Sequence, residues 1–241
     1  MVETKEVSVS AGKIVYQQTQ PAKNKRNLIF FHGAFGDPEP LSYLDRVFGS
    51  EYRITAPFLP GHGSFNLDRK FTYPNLVTTM SEFLDQLHLR NQVLVMGHSF
   101  GGRLALDLAV SMNSPHLKEV LFAPMLAPIF PNLTAAVLHI IRDYWKDFRL
   151  SGQLPVSRDT SLYKLINIGE IWNLITSVGN ITTNDSPAFV IWGERDSVLP
   201  LEKNKPQIAK LTESILHVYR GAHFWFCNPS HLKIVKDSLS E

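Results

Sequence analysis

The sequence predicts an α/β fold: a mainly parallel central sheet with helices on both faces. Three observations carry this expectation. Short, continuous apolar runs recur at residues 28–31, 93–96, 120–123 and 188–192, and runs of that length read as strands buried on both faces. Segments with helical spacing separate them, and strand–helix alternation is the pattern of a parallel sheet with crossover helices. The chain has 241 residues, 44% hydrophobic and 19% charged, which suits one large domain with a sizeable core. It contains no internal repeat and no low-complexity segment.

The elements follow in order. Val7 and Val9 alternate with polar residues, Ala11-Gly12-Lys13 turns, and Ile14-Val15-Tyr16 completes an N-terminal hairpin. A connection rich in Pro and Lys at 21–26 leads to the strand at 28–31, which ends in His32-Gly33-Ala34-Phe35-Gly36-Asp37. A strand at 52–57 runs into Leu59-Pro60-Gly61-His62-Gly63-Ser64, whose Pro-Gly and Gly steps are turn chemistry. Between 73 and 89, Leu76, Met80, Phe83, Leu84 and Leu87 share one helical face, so a core-facing helix is expected. The strand at 93–98 is followed by Leu104, Ala105, Leu106, Leu108 and Ala109, a buried helix, and the strand at 119–123 stops at Pro124. Residues 125–180 change character: prolines cluster at 124, 128, 131 and 155, and aromatics stand at Tyr144, Trp145, Phe148, Tyr163 and Trp172. Helical patches and no strand are expected there. A strand at 188–193, a helix at 203–211, a strand at 215–219 and a terminal helix opened by Asn228-Pro229 complete the pattern.

Chemistry gathers at the strand ends. Gly97-His98-Ser99-Phe100-Gly101 lies where a strand must become a helix within a few residues. Such a turn crowds its backbone. Glycines two before and two after relieve the crowding, and Ser99 is expected to be strained, with its hydroxyl pushed outward. Gly193-Glu194-Arg195-Asp196 ends another strand and offers two carboxylates that can orient an imidazole. Gly221-Ala222-His223-Phe224 delivers a histidine just after the last strand.

On these motifs the whole chain resembles the α/β-hydrolase family, in which Gly-x-Ser-x-Gly is the nucleophile elbow and nucleophile, acid and base follow in the order Ser…Asp…His. The resemblance implies a serine nucleophile at Ser99, the acid at Asp196 rather than Glu194, and the base at His223. It implies oxyanion donors in the backbone N–H groups of Phe100 and Ala34, with Phe35 the neighbouring alternative to Ala34. His32 and His62 then read as braces of their loops, and His217 as a strand residue. The resemblance also implies a core at 1–124 and 181–241, with a mostly helical cap inserted at 125–180. No metal or organic cofactor is implied.

Two features bear on the substrate. Arg103, one turn past Ser99, either pairs with a carboxylate or faces the pocket and grips a substrate carboxylate. Together with it, Trp145 of the cap is a candidate substrate contact. Arg142 and Arg149 of the cap either help to bind acids or, standing beside Asp143 and Asp147, form a solvated mixed-charge face. Ser-x-Gly-Gly-Arg, Leu-Pro-Gly-His-Gly and Gly-Glu-Arg-Asp also resemble the menaquinone-pathway SHCHC synthase, a lyase that eliminates pyruvate. This chain carries His98 where tyrosine is expected in that synthase.

Composition excludes several classes. A net charge of +2 is too small to argue for nucleic acid or an anionic membrane. The one cysteine, Cys227, excludes an internal disulfide and reads as an apolar filler. No apolar run approaches a membrane span, and the polar N-terminal residues lack a signal core, so a soluble cytoplasmic protein is expected. The expected function is a serine hydrolase that cleaves carboxylic esters or thioesters of small to medium acyl groups through an acyl-serine. The alternatives are a triad-dependent elimination on a carboxylate substrate and a ligand-binding protein on the same fold.

Overall fold

In the computed structural model, strands β1 (Val2–Val9) and β2 (Gly12–Thr19) form the expected hairpin, with Val9 opposite Gly12. The later strands are β3 (Arg26–Phe31), β4 (Tyr52–Pro57), β5 (Asn66–Leu67), β6 (Val93–His98), β7 (Lys118–Phe122), β8 (Ala188–Gly193) and β9 (Ile215–Tyr219). They make one sheet in the order β1-β2-β4-β3-β6-β7-β8-β9, with β5 paired to β2 off that path. All pairs from β4 to β9 are parallel, and those involving β2 are antiparallel. The structure describes residues 2–20, 25–36, 40–62, 66–67, 71–89, 93–112, 118–127, 132–151, 167–181, 188–211 and 213–239. Asp37, Gly63, Ser64, Pro128, Pro131, Pro155, Tyr163 and most of the 21–26 connection lie outside them, as does the side chain of Cys227.

The apolar runs are buried on both faces because neighbouring residues feed different cores. Ile29 and Phe31 join one hydrophobic cluster, and Leu28 and Phe30 join the other. The first cluster takes Leu76, Met80 and Phe83 from α2 (Tyr73–Gln86) and Leu104 and Leu108 from α3 (Phe100–Met112). The second takes Leu41, Leu44 and Phe48 from α1 (Pro40–Phe48) and Leu232 and Val235 from α7 (Pro229–Ser238). Helices therefore cover both faces, as the alternating pattern predicts. Helix α1, not anticipated from the sequence, is amphipathic with its apolar residues at helical spacing. The side chain of Asn228 caps α7 by accepting the Ser230 N–H, and Pro229 opens the helix.

Between β7 and β8 the chain forms α4 (Leu133–Ser151) and α5 (Ile168–Thr176), and then α6 (Leu201–Ile208) precedes β9. Among the described residues of 125–180 there is no strand. No described helix is long and apolar enough to cross a membrane.

Candidate active site

The turn from β6 into α3 is forced by close packing. A Cβ on Gly101 would stand 2.2 Å from the Phe31 carbonyl oxygen and 2.3 Å from that of His32, so the start of α3 lies against the end of β3. A Cβ on Gly97 would meet the Gly101 carbonyl oxygen at 2.2 Å. Only hydrogen fits at either position. Ser99 sits between them with φ 54°, in the left-handed region that a non-glycine residue rarely adopts. Its backbone is fixed from both sides: its N–H donates to the Phe122 carbonyl at 2.9 Å, and its carbonyl accepts from Met125 at 2.9 Å and Arg103 at 3.1 Å.

The loops after β8 and β9 bring the acid and the base together. His223 Nδ1 lies 2.8 Å from Asp196 Oδ2, and both side chains are buried. The other Asp196 oxygen accepts the Leu199 N–H at 2.7 Å. A carboxylate held in this way fixes Nδ1 as the protonated nitrogen and leaves Nε2 free to accept a proton. Glu194 is exposed and pairs with Arg195 at 3.3 Å, away from the imidazole. His217 stacks on Phe189, with ring centroids 4.2 Å apart, and takes no part in the site.

The loop after β3 is braced by two histidines. His32 accepts the Leu59 N–H at 3.1 Å through Nε2 and donates from Nδ1 to the Gly33 carbonyl at 2.8 Å. His62 accepts the Phe35 N–H at 3.1 Å, and its Nδ1 faces the carbonyls of Leu59 and Pro60. Burial pushes His32 down to about 4, so it works as a neutral ring. Phe35 and Gly36 thus have committed N–H groups, the second bonded to the Gly33 carbonyl at 3.0 Å. Ala34 lies between the bracing residues and lines the same cavity as Phe100, whose N–H belongs to the first turn of α3 and has no partner inside the helix.

That cavity, about 490 Å³ including its open mouth, is lined by Ala34, Ser99, Phe100 and His223. The rest of its lining is largely apolar and includes Met125, Val198 and Leu199, with Ala136 and Ile140 from α4 and Ile175 from α5. No lysine, arginine, aspartate or glutamate lines it among the described residues.

Arg103 and Trp145 are not in that lining. The Arg103 guanidinium is spent within the protein: Nε donates to Asp107 at 2.8 Å, and Nη1 donates to the carbonyls of Gly179 at 2.8 Å and Leu126 at 3.4 Å. It therefore ties α3 to both ends of the α4–α5 segment. Trp145 is 52% exposed on α4 and packs edge-on against Phe148.

Three residues at the site escaped the sequence. His98 donates from Nε2 to the His223 carbonyl at 3.0 Å. Burial, with His223 beside it, holds its imidazole well below the usual histidine range, so it too is a neutral brace. Asp143 and Asp147 of α4 are buried rather than on a solvated face, while Arg142 is largely exposed and donates from Nε to the Ser197 hydroxyl at 3.2 Å. Asp143 accepts the N–H and hydroxyl of Ser197 and the Val198 N–H, directly after Asp196. Asp147 accepts the N–H groups of Ala222 and Phe224, each at 2.7 Å, on either side of His223. Burial pushes the Asp147 carboxyl up, and these two donors oppose the shift. The available signal was their spacing, four residues apart and hence on one helix face.

Comparison with known proteins agrees with this architecture. The chain is 26% identical over 235 residues to the uncharacterized hydrolase YugF of Bacillus subtilis, covering 86% of each protein. It is 28% identical over 134 residues to the sn-1-specific diacylglycerol lipase ABHD11 of Danio rerio, covering 54% of this chain and 40% of the lipase. The crystal structure of the carboxylesterase CesB of Bacillus subtilis superposes with a TM-score of 0.72 at 16% identity, covering 99% of this chain and 91% of that one. Residues 28–229 match the alpha/beta hydrolase family, and with the strand order and elbow described above, the chain belongs to that family.

Proposed function

We propose that the protein is a serine hydrolase that cleaves carboxylic esters or thioesters carrying an apolar acyl group. The observation that carries this reading is one cavity: Ser99 on a strained elbow shares it with His223, whose ring is held by Asp196, and the described lining is largely apolar and carries no lysine, arginine, aspartate or glutamate. In the reaction, His223 takes the Ser99 proton as Oγ attacks the carbonyl carbon. Asp196 stabilises the imidazolium, and the N–H groups of Ala34 and Phe100 hold the oxyanion. The imidazolium then protonates the leaving group, and water, activated by the same histidine, releases the acid from Ser99. The segment 125–180 acts as a cap over the acyl subsite, with Ile140 and Ile175 as its contacts.

An elimination on a carboxylate substrate needs a cation in the pocket. The lining has none among the described residues, and Arg103 is engaged elsewhere. This favours the hydrolase. The test is hydrolysis of p-nitrophenyl esters from acetate to long acyl chains by wild type and Ser99→Ala. Turnover with an optimum at short to medium chains, lost in Ser99→Ala by a factor on the order of 10⁴ or more, is expected. Folded wild type without ester turnover refutes the proposal.

A further inference from the structure

We infer that Asp143 and Asp147 are positioning residues through which helix α4 holds the acid loop and the histidine loop in catalytic register. The inference rests on the hydrolase reading of Ser99 and goes beyond it, because it makes the helix that walls the substrate cavity a structural part of the Asp–His pair.

The geometry is specific. The two carboxylates lie one helical turn apart on one face of α4, at 0% and 5% exposure. Each takes N–H groups from a different loop. Asp143 receives Ser197 and Val198, the two residues after Asp196. Asp147 receives Ala222 and Phe224, the two neighbours of His223, so both N–H groups flanking the imidazole-bearing residue converge on one carboxylate. Lys146 donates to Asp143 at 2.9 Å and to the Arg195 carbonyl at 3.2 Å, joining the helix to the acid loop a second time. The same helix presents Ala136 and Ile140 to the cavity. A displacement of α4 by substrate is therefore carried to Asp196 and His223 together.

Charge-assisted bonds of this kind are strong and directional. Asparagine at 147 keeps the shape but offers one acceptor and turns an amide donor toward the second N–H. The loop loses one anchor and His223 shifts against Asp196 and Ser99. A misplacement of about 1 Å costs roughly 100-fold in rate.

The experiment compares wild type, Asp147→Asn, Asp143→Asn and the control Leu138→Gln, whose side chain is 63% exposed on the same helix. Two readouts are taken: p-nitrophenyl ester kinetics, and amide hydrogen exchange at 222–224 and 197–198. For Asp147→Asn, kcat falls roughly 10- to 100-fold with KM held within about twofold, and exchange at Ala222 and Phe224 accelerates at least about tenfold. Asp143→Asn does the same through 197–198, and serves if Asp147→Asn fails to fold. Leu138→Gln leaves both readouts at the wild-type level. Unchanged kcat, or reduced kcat with unchanged exchange, overturns the inference. If wild type itself turns over no ester, the hydrolase reading fails. The exchange data then decide the clamp alone: acceleration supports it and unaltered exchange overturns it.

Discussion

Replacing Arg103 by methionine separates its two possible roles. Its side chain is 6% exposed and makes its short bonds to Asp107 and the Gly179 carbonyl, both at 2.8 Å. Methionine fills much of the volume but leaves Asp107 with the Tyr73 hydroxyl at 2.7 Å and leaves the Gly179 carbonyl without its donor. Removing one partner of a buried ion pair costs about 3–5 kcal/mol, and Asp107 is 26% exposed, so the lower end, about 3 kcal/mol, applies. For a chain of this size each kcal/mol moves the midpoint by about 2–4 °C, which gives a loss of about 6–12 °C. Thermal and urea unfolding of wild type, Arg103→Met, Asp107→Asn and the double variant measures it. A coupling energy of about 1–3 kcal/mol between 103 and 107 is expected. KM for neutral esters, assayed well below the lowered midpoint, stays near the wild-type value. A midpoint within about 1 °C of wild type, with a large KM increase confined to carboxylate-bearing substrates, refutes the structural role and restores Arg103 as a substrate contact.

Two further outcomes follow from the packing and the buried histidines. Gly101→Ala drives a methyl into the Phe31 and His32 carbonyls and costs about 3 kcal/mol or more with loss of activity, whereas Gly179→Ala, whose Cβ meets nothing within 4 Å, stays within about 0.5 kcal/mol; urea unfolding of both checks the contrast. Stability is also pH-dependent through His32, whose folded value of about 4 lies below its unfolded 6.5. Above pH 6.5 neither state binds the proton and the ring contributes no pH dependence. As pH falls from 6.5 to 4 the unfolded chain takes up the proton first, and about 3 kcal/mol of stability is lost, with His98 adding in the same direction. Urea unfolding across that range measures the slope, and a flat profile contradicts the neutral-brace role.

Much of the fold is legible in the sequence because strands buried on both faces must be apolar at every position. The runs at 28–31, 93–96 and 188–192 carry that signature, and each is a central strand. Helix α1 carried its signal in Leu41, Leu44 and Phe48 but lay in a short, mixed segment between two stronger motifs. β5, two residues long, has no period to detect. The elbow was legible for a different reason: glycines at 97 and 101 are steric necessities, and steric necessity leaves a residue type in the sequence.

Local chemistry therefore determined the alternating α/β architecture and the elbow around Ser99, while the choice of Asp196 and His223 as its partners came from the resemblance to the family. The architecture and the elbow depend on residues close in sequence: apolar runs, turn glycines and strand ends. What only the tertiary structure decided is the direction of long polar side chains. Asp143 and Arg142 are neighbours in one mixed-charge segment, yet the first is buried against the acid loop and the second is largely exposed, because a helix places adjacent residues about 100° apart and packing chooses which side is inward. Arg103 was equally able to reach a substrate or a carbonyl. The return of the chain at Gly179, 76 residues away, supplied the carbonyl and closed the choice.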